Sequence, residues 1–380
     1  MKFLHTSDWH LGRQFHNVSL LEDQAYVLEQ IVEIAAQQKV DAVVLAGDVY
    51  DRAVPPARAV ALLDSVLDQL CRQLAIPVVM IPGNHDSPER LGFGARQLSA
   101  SGLHIFGSPT TILSPVLLED AFGKVAFYGV PYLEPVVARE YFNVELSGHD
   151  ETLAHVAESI RTHNQENGAY RTVIVSHCFL DGGEACESER PLSIGGADRA
   201  SAEHFSDFNY TALGHLHGAQ YKNLEQIRYS GSILKYSFSE EFHHKSVTIV
   251  DMDIQGECSI EKVVLQPLHD MRTLEGSLTD ILAAGKSDKN AEDYVQVRLS
   301  DTHAILDIMG KLREVYPNVL HLERPGLLAG SGEQVASRER LKKGEMSMFE
   351  DFYEQVRGEP MSAAQTRLAK ETIEKLHRAE

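Results

Sequence analysis

Asp8, His10, Asp48, Asn84, His177, His215 and His217 are carboxylates, imidazoles and an amide, side chains that can ligate manganese, iron or zinc. They fall in five short clusters: Asp8-Trp9-His10, Gly47-Asp48-Val49-Tyr50-Asp51, Gly83-Asn84-His85-Asp86, Ser176-His177 and Gly214-His215-Leu216-His217. Side chains at i and i+2 of an extended segment point the same way, so Asp8 with His10, and His215 with His217, can each aim a pair at one point. The glycines before Asp48, Asn84 and His215 allow sharp turns and close approach. Seven donors exceed the need of one tetrahedral zinc. They suffice for two divalent ions roughly 3.5–4 Å apart that share a carboxylate. Asp48, central in order and behind a glycine, is the expected bridge. Each cluster also has an ordinary reading: a capping aspartate in GNHD, two surface histidines in GHLH, a helix cap at Asp8. Their joint occurrence favours a single centre.

The elements that must position these residues are legible around them. Strand-like runs at 2–7, 41–46, 76–81, 172–176 and 209–213 each end at one cluster. Helical spacing fills 22–38 and 57–74, giving β-α-β-α-β at the start. In open α/β sheets, ligands bind outside the carboxyl ends of the strands. Further strands are expected at 125–130, 227–231 and 246–253, and a helix at 150–163. The expected fold class is α/β, a two-layered sheet core with covering helices over residues 1–268, with a small α/β appendage at 269–325. Residues 285–293 read as linker-like, and 304–316 as a helix. A flexible linker is expected at 326–346 and a helical tail at 347–380. In that tail Ser347 with Glu350, and Ser362 with Gln365, have capping-box spacing. Phe349, Phe352, Tyr353 and Val356 form an apolar stripe suited to a partner's groove.

The chain has 380 residues, too long for one ordinary core, and a formal charge of −20, which argues against a general nucleic-acid binder unless bound metal supplies the affinity for anions. Its four cysteines show neither CxxC nor zinc-like spacing and are expected to be reduced. No apolar run is long enough to span a membrane, and the start lacks a signal-peptide layout, so a cytoplasmic location is expected.

The order DxH, GD, GNHD, SH, GHxH resembles the calcineurin-like metallophosphoesterase superfamily, which implies a four-layer αββα sandwich over residues 1–268 and makes 269–325 a small α/β capping domain. Longer stretches, LHTSDWHLG, VLAGDVYDRAVPP, SERPLSIGGADRA, YTALGHLHGAQ and RYSGSILKYSFSE, are similar to its bacterial DNA-repair nuclease branch. GDVYDR is also similar to protein phosphatases, but those carry GNHE. The resemblance implies that Asp8, His10, Asp48 and His217 hold one ion, and that Asp48, Asn84, His177 and His215 hold the other. Manganese is the first candidate, with magnesium or iron as alternatives. His85 would be the general acid or would stabilise the phosphate. Asp51 stands where archaeal and eukaryotic relatives have a histidine, and it would orient His85 or a ligand. The resemblance further implies exonuclease action on duplex DNA ends, endonuclease action on hairpins and single strands, a coiled-coil ATPase partner on the tail, a homodimer, and a capping domain that admits DNA ends. Arg190 and Arg199 are candidate phosphate contacts. Other phosphodiester substrates, or a non-catalytic scaffold for the ATPase, remain open. Residues 231–240 receive no chemistry.

Overall fold

Strands buried on both faces read as continuous apolar runs. Ala42–Ala46 and Val78–Ile81 are such runs, and every residue in them is buried. The computed structural model describes residues 1–190, 199–325, 346, 349–350, 353 and 360–377. It divides into two units, Met1–Leu268 and His269–Glu380.

In chain order, the elements of the first unit that matter here are β1 (Lys2–Thr6), α1 (Leu21–Gln38), β2 (Ala42–Ala46), α2 (Ala57–Leu67), β3 (Val78–Ile81), β4 (Leu103–Ile105), β5 (Val116–Asp120), β6 (Gly123–Val130), α3 (His149–Asn167), β7 (Arg171–His177), β8 (Tyr210–Gly214), β9 (Gln220–Lys222), β10 (Leu224–Tyr229), β11 (Ser246–Met252) and β12 (Cys258–Val264). One sheet has the order β12-β11-β1-β2-β3-β4, and the other β9-β10-β8-β7-β6-β5. Strands β1 to β4 run parallel, as do β6, β7, β8 and β10. The inner faces meet in one core, where Phe3, Val44, Ala46, Val79 and Ile81 join Phe127, Val173, Val175, Tyr210 and Ala212. Helix α3 covers the outer face of the second sheet, packing Leu153, Val156 and Ile160 with Tyr128, Ile174 and Leu213. Amphipathic α1 buries Val27, Leu28, Ile31 and Ala35, and Leu4, Val43 and Leu45 of the first sheet are buried as well. The layers therefore run helix, sheet, sheet, helix. Helix α2 is shorter than its apolar spacing predicts, because a π-helical segment takes over at Asp68–Gln73.

The second unit holds a three-stranded parallel sheet of Met271–Gly276 (β13), Tyr294–Leu299 (β14) and Val319–Glu323 (β15), with helices Leu278–Gly285 (α4) and Ile308–Arg313 (α5). Two expectations are corrected. The polar stretch 285–293 is no linker: Arg272 binds Asp288 and Asp293, each at 2.7 Å, and the Tyr316 hydroxyl donates to Asp288. The helix expected over 304–316 starts only at Ile308, because Asp307 adopts φ 49° and its carboxylate caps the Gly310 N–H. The tail contains Ala363–His377 (α6), opened by a capping box in which Ser362 N–H donates to Gln365 Oε1 and Gln365 N–H to Ser362 Oγ. No helix among the described residues is long and apolar enough to cross a membrane.

Candidate metal centre

The loops after β1, β2 and β3 are laced together before any side chain reaches the centre. Asp8 N–H donates to Gly47 O at 3.0 Å, and His10 N–H to Asp48 O at 2.9 Å. The Asp86 carboxylate accepts from the N–H groups of Val49, Tyr50 and Gly83, tying the GD loop to the GNHD loop. This packing leaves no room for a side chain at Gly83, where a Cβ would lie 2.2 Å from Asp48 Oδ1. Asp8 (φ 53°), His10 (φ 45°), Asp48 (φ 48°) and His215 (φ 107°) all have positive φ. Each such residue costs of order 1–3 kcal/mol and persists only where its surroundings over-determine it. Four of the seven predicted ligands therefore carry backbone strain, as expected where geometry serves a site.

The side chains converge. Donor atoms of Asp8, His10 and His217 lie within 4.8 Å of one another, as do those of Asp8, Asp48 and His177, and those of His10, Asp51 and His85. Asp48 Oδ1 is occupied by the His85 N–H at 2.9 Å, while Oδ2 faces three imidazoles: Nε2 of His10 at 3.6 Å, of His177 at 3.5 Å and of His85 at 4.0 Å. Both Asp8 oxygens accept from the His215 N–H, and Ser7 Oγ donates to one of them. The His215 ring lies 5.4 Å from that of His177. Asn84 places its Oδ1 at 3.0 Å from His177 Nε2.

The donor chemistry fits divalent metal ions. His177 Nδ1 donates to the Ala46 carbonyl at 2.9 Å, so its neutral ring presents a bare lone pair at Nε2. That lone pair faces Asn84 Oδ1, another acceptor. These facing acceptors repel unless a cation lies within reach of both. Nε2 of His10 and Nε2 of His217, both buried, meet at 3.1 Å, and His10 Nδ1 is buried without a hydrogen-bond partner among the described residues. Burial, reinforced by the Asp48 carboxylate, raises Asp8 well above the usual carboxylate range. Burial also holds His10 and His215 well below the ordinary imidazole range and lowers His177. Neutral imidazoles and clustered buried carboxylates are the states a divalent cation stabilises.

Other predicted residues are placed as follows. Asp51 touches His85 through its backbone carbonyl, which accepts from His85 Nδ1 at 2.8 Å; its carboxylate pairs with Arg13 and Arg52. Arg190 is exposed, and exposed Arg199 lies over the Phe179 ring at 4.8 Å. Phe349 is exposed, and the Tyr353 hydroxyl accepts from Gln365 Nε2. Phe352, Val356 and residues 326–345 of the expected linker fall outside the described residues. Cys178, beside His177, is buried, and burial pushes its thiol up to about 12, which leaves it no nucleophilic role.

Several residues that spacing did not single out hold the predicted ligands in place. Gln24 Nε2 donates to the carbonyls of Trp9 and His10 and to the Tyr236 hydroxyl, and its Oε1 takes the Gly12 N–H. Glu189 accepts the His217 N–H at 2.7 Å. Ser188, Glu240 and Lys245 complete a buried network behind His217. The GSILKYSFSE stretch, which ends at Glu240, was the signal that a motif here awaited a role.

A model of the calcineurin-like phosphoesterase family matches residues 1–219, and one described as the type 5 capsule protein repressor C-terminal domain matches 267–357. The D subunit of nuclease SbcCD from Staphylococcus epidermidis is 32% identical over 367 residues, covering 96% of each chain. Among solved structures, TT1561 of Thermus thermophilus aligns with TM-score 0.39 at 16% identity, over 69% of this chain and 98% of that one. A dimetal phosphatase from Danio rerio aligns with TM-score 0.40 at 12% identity, over 70% and 99%.

Proposed function

The chain belongs to the calcineurin-like phosphoesterase family, and we propose that it is a metal-dependent DNA nuclease, the counterpart of the D subunit of nuclease SbcCD. It hydrolyses phosphodiester bonds, as an exonuclease on duplex ends and an endonuclease on hairpins and single strands. The observation that carries this reading is the facing of two acceptors, His177 Nε2 and Asn84 Oδ1, within a buried carboxylate cluster.

Asp8, His10, Asp48 and His217 would hold one divalent ion, manganese first, and Asp48, Asn84, His177 and His215 would hold the other. The reach of Asp48 Oδ2 to both His10 and His177 supports its place between them. When bound, such ions supply positive charge for the phosphate oxygens and acidify the attacking water. The chain's own contribution is orientation and one proton. His85 gives its Nδ1–H to the Asp51 carbonyl, so in the imidazolium form it is the Nε2–H that can be handed to the departing sugar oxygen, leaving the neutral Nδ1–H ring. Asp51 thus orients His85 through the backbone, and its carboxylate holds Arg13 beside it.

With manganese, the protein is expected to cut linear duplex, hairpin and single-stranded DNA, and to lose that activity in a chelator. Activity confined to a free nucleotide or a phosphopeptide, measured in the same panel, would replace the nuclease reading with one of a general phosphoesterase. No cleavage of any member would favour a scaffold.

The partner in this reading is an SbcC-type coiled-coil ATPase, engaged by Phe349, Phe352, Tyr353 and Val356 of the tail, and it offsets the acidic charge by supplying basic DNA surface. Exposed Arg190 and Arg199 contribute to the DNA backbone. A chain ending at residue 325 is expected to keep manganese-dependent phosphodiesterase activity but to stop co-purifying with the ATPase; retained co-purification would remove the tail from the interface. A homodimer through core helices is supported by exposed Val54, Val60 and Phe93, which line one cavity together with Leu63 and Leu67 of α2. The proposed location is the cytoplasm, in keeping with four free cysteines.

A further inference from the structure

His217 is gripped at three points by residues outside the predicted ligand set. Its N–H donates to Glu189 Oε1 at 2.7 Å, its carbonyl accepts from Lys245 Nζ at 2.8 Å, and its ring Nδ1 meets Ser188 Oγ at 2.7 Å. Behind Ser188 lies Glu240, fully buried at 0% exposure. Glu240 Oε1 accepts from Ser188 Oγ at 2.5 Å, from Tyr236 N–H at 3.1 Å and from Ser237 Oγ at 3.1 Å, while its Oε2 pairs with Lys245 Nζ at 2.5 Å. Lys245 gives a further hydrogen bond to Ser232 Oγ at 2.8 Å.

The donor inventory decides the direction of this chain of contacts. A carboxylate paired with an ammonium can only accept, so the single Ser188 hydroxyl proton goes to Glu240. Towards His217, Ser188 then has only a lone pair to offer. Nδ1 of His217 must therefore carry the ring proton, and Nε2 is left bare on the side that faces His10 and Asp8.

We propose that Glu240, acting through Ser188, is a positioning residue that fixes His217 as the Nδ1–H tautomer with its Nε2 lone pair aimed into the metal centre. Lys245 keeps Glu240 in its accepting form and holds the His217 backbone in the same grip. The SFSE stretch and the ESER segment then act together, the first supplying the acceptor and the second the relay. The proposal rests on the metal-centre reading above. Partners that orient a ligating histidine are typically worth 10–100-fold in metal affinity.

The test compares wild type with Ser188→Ala and Ser188→Thr by calorimetric titration of the metal-free protein with manganese, alongside nitrogen-15 NMR of the histidine rings in metal-free wild type. The expected result is that Ser188→Ala weakens one of the two bound equivalents by roughly 10–100-fold, that Ser188→Thr, which keeps the hydroxyl, restores it, and that His217 shows a protonated Nδ1 and a bare Nε2. Two equivalents of unchanged affinity in Ser188→Ala would overturn the relay while leaving the metal centre standing. An Nε2–H tautomer at His217 would overturn it even if that variant failed to fold. Failure of wild type to bind manganese at all would overturn the metal-centre reading, and the relay with it.

Discussion

His85→Ala is expected to keep its full complement of bound manganese and to lose phosphodiester hydrolysis by roughly 10²–10⁴-fold, the range over which a positioned general acid contributes. The geometry separates the two effects. What His85 gives to the metal centre is its backbone N–H, which donates to Asp48 Oδ1 and survives in alanine. What alanine removes is a ring held by the Asp51 carbonyl at Nδ1, with Nε2 still 4.0 Å from the nearest Asp48 oxygen. That ring is 12% exposed, whereas those of His10, His177 and His217 are 1%, 0% and 1% exposed, so it is the imidazole that a phosphate arriving from solvent can meet. Metal per chain and initial rate, measured on the same preparation, check the prediction. Normal turnover would deny the proton-donor role, and loss of metal would make His85 a ligand alongside His10.

Asp48→Asn is expected to abolish stoichiometric manganese binding and to take hydrolysis down by more than about 10⁴-fold, because several kcal/mol of charge stabilisation leave with the ions. Its effect on folding has the opposite sign. Asp8 and Asp48 are adjacent buried carboxylates, 0% and 2% exposed, and in the absence of a cation they repel. An amide at position 48 removes that repulsion at nearly constant shape and can still accept the His85 N–H. Metal-free Asp48→Asn is therefore expected to melt no lower than metal-free wild type. Added manganese should raise the wild-type melting temperature by mass action and leave the variant's unmoved. Melting curves with and without manganese read both signs at once. A variant that melts far below wild type without metal would make Asp48 a folding residue first and a ligand second.

The centre was legible in sequence to the extent that local spacing defines it. Asp8 with His10, Asn84 with His85, and His215 with His217 each sit directly after an apolar run, and strand ends of a parallel sheet are where such runs deliver polar groups. The structure gathers them because β1, β2 and β3 in one sheet and β7 and β8 in the other end at the same side of the sandwich. The network behind the ligands was not legible. Gln24 lies inside helix α1, where its spacing reads only as a core-facing position, yet it binds two carbonyls of the DWH loop. Ser188 lies 52 residues from Glu240 and meets it only through tertiary folding, and a buried Glu–Lys pair has no local signature. The second unit shows the same limit. Polarity at 285–293 suggested a linker, but Arg272 on β13 turns those acidic residues into a pinned turn. The α5 boundary was missed because a single residue, Asp307, overrides the apolar period that precedes it.

The central claim is that Asp8, His10, Asp48, Asn84, His177, His215 and His217 hold a pair of divalent cations. Anomalous diffraction at the manganese absorption edge, from crystals grown with manganese, tests it most directly. The account predicts two peaks flanking Asp48, one against Asp8, His10 and His217 and the other against Asn84, His177 and His215. A map with no anomalous density among these side chains, at full manganese occupancy elsewhere in the crystal, would contradict it.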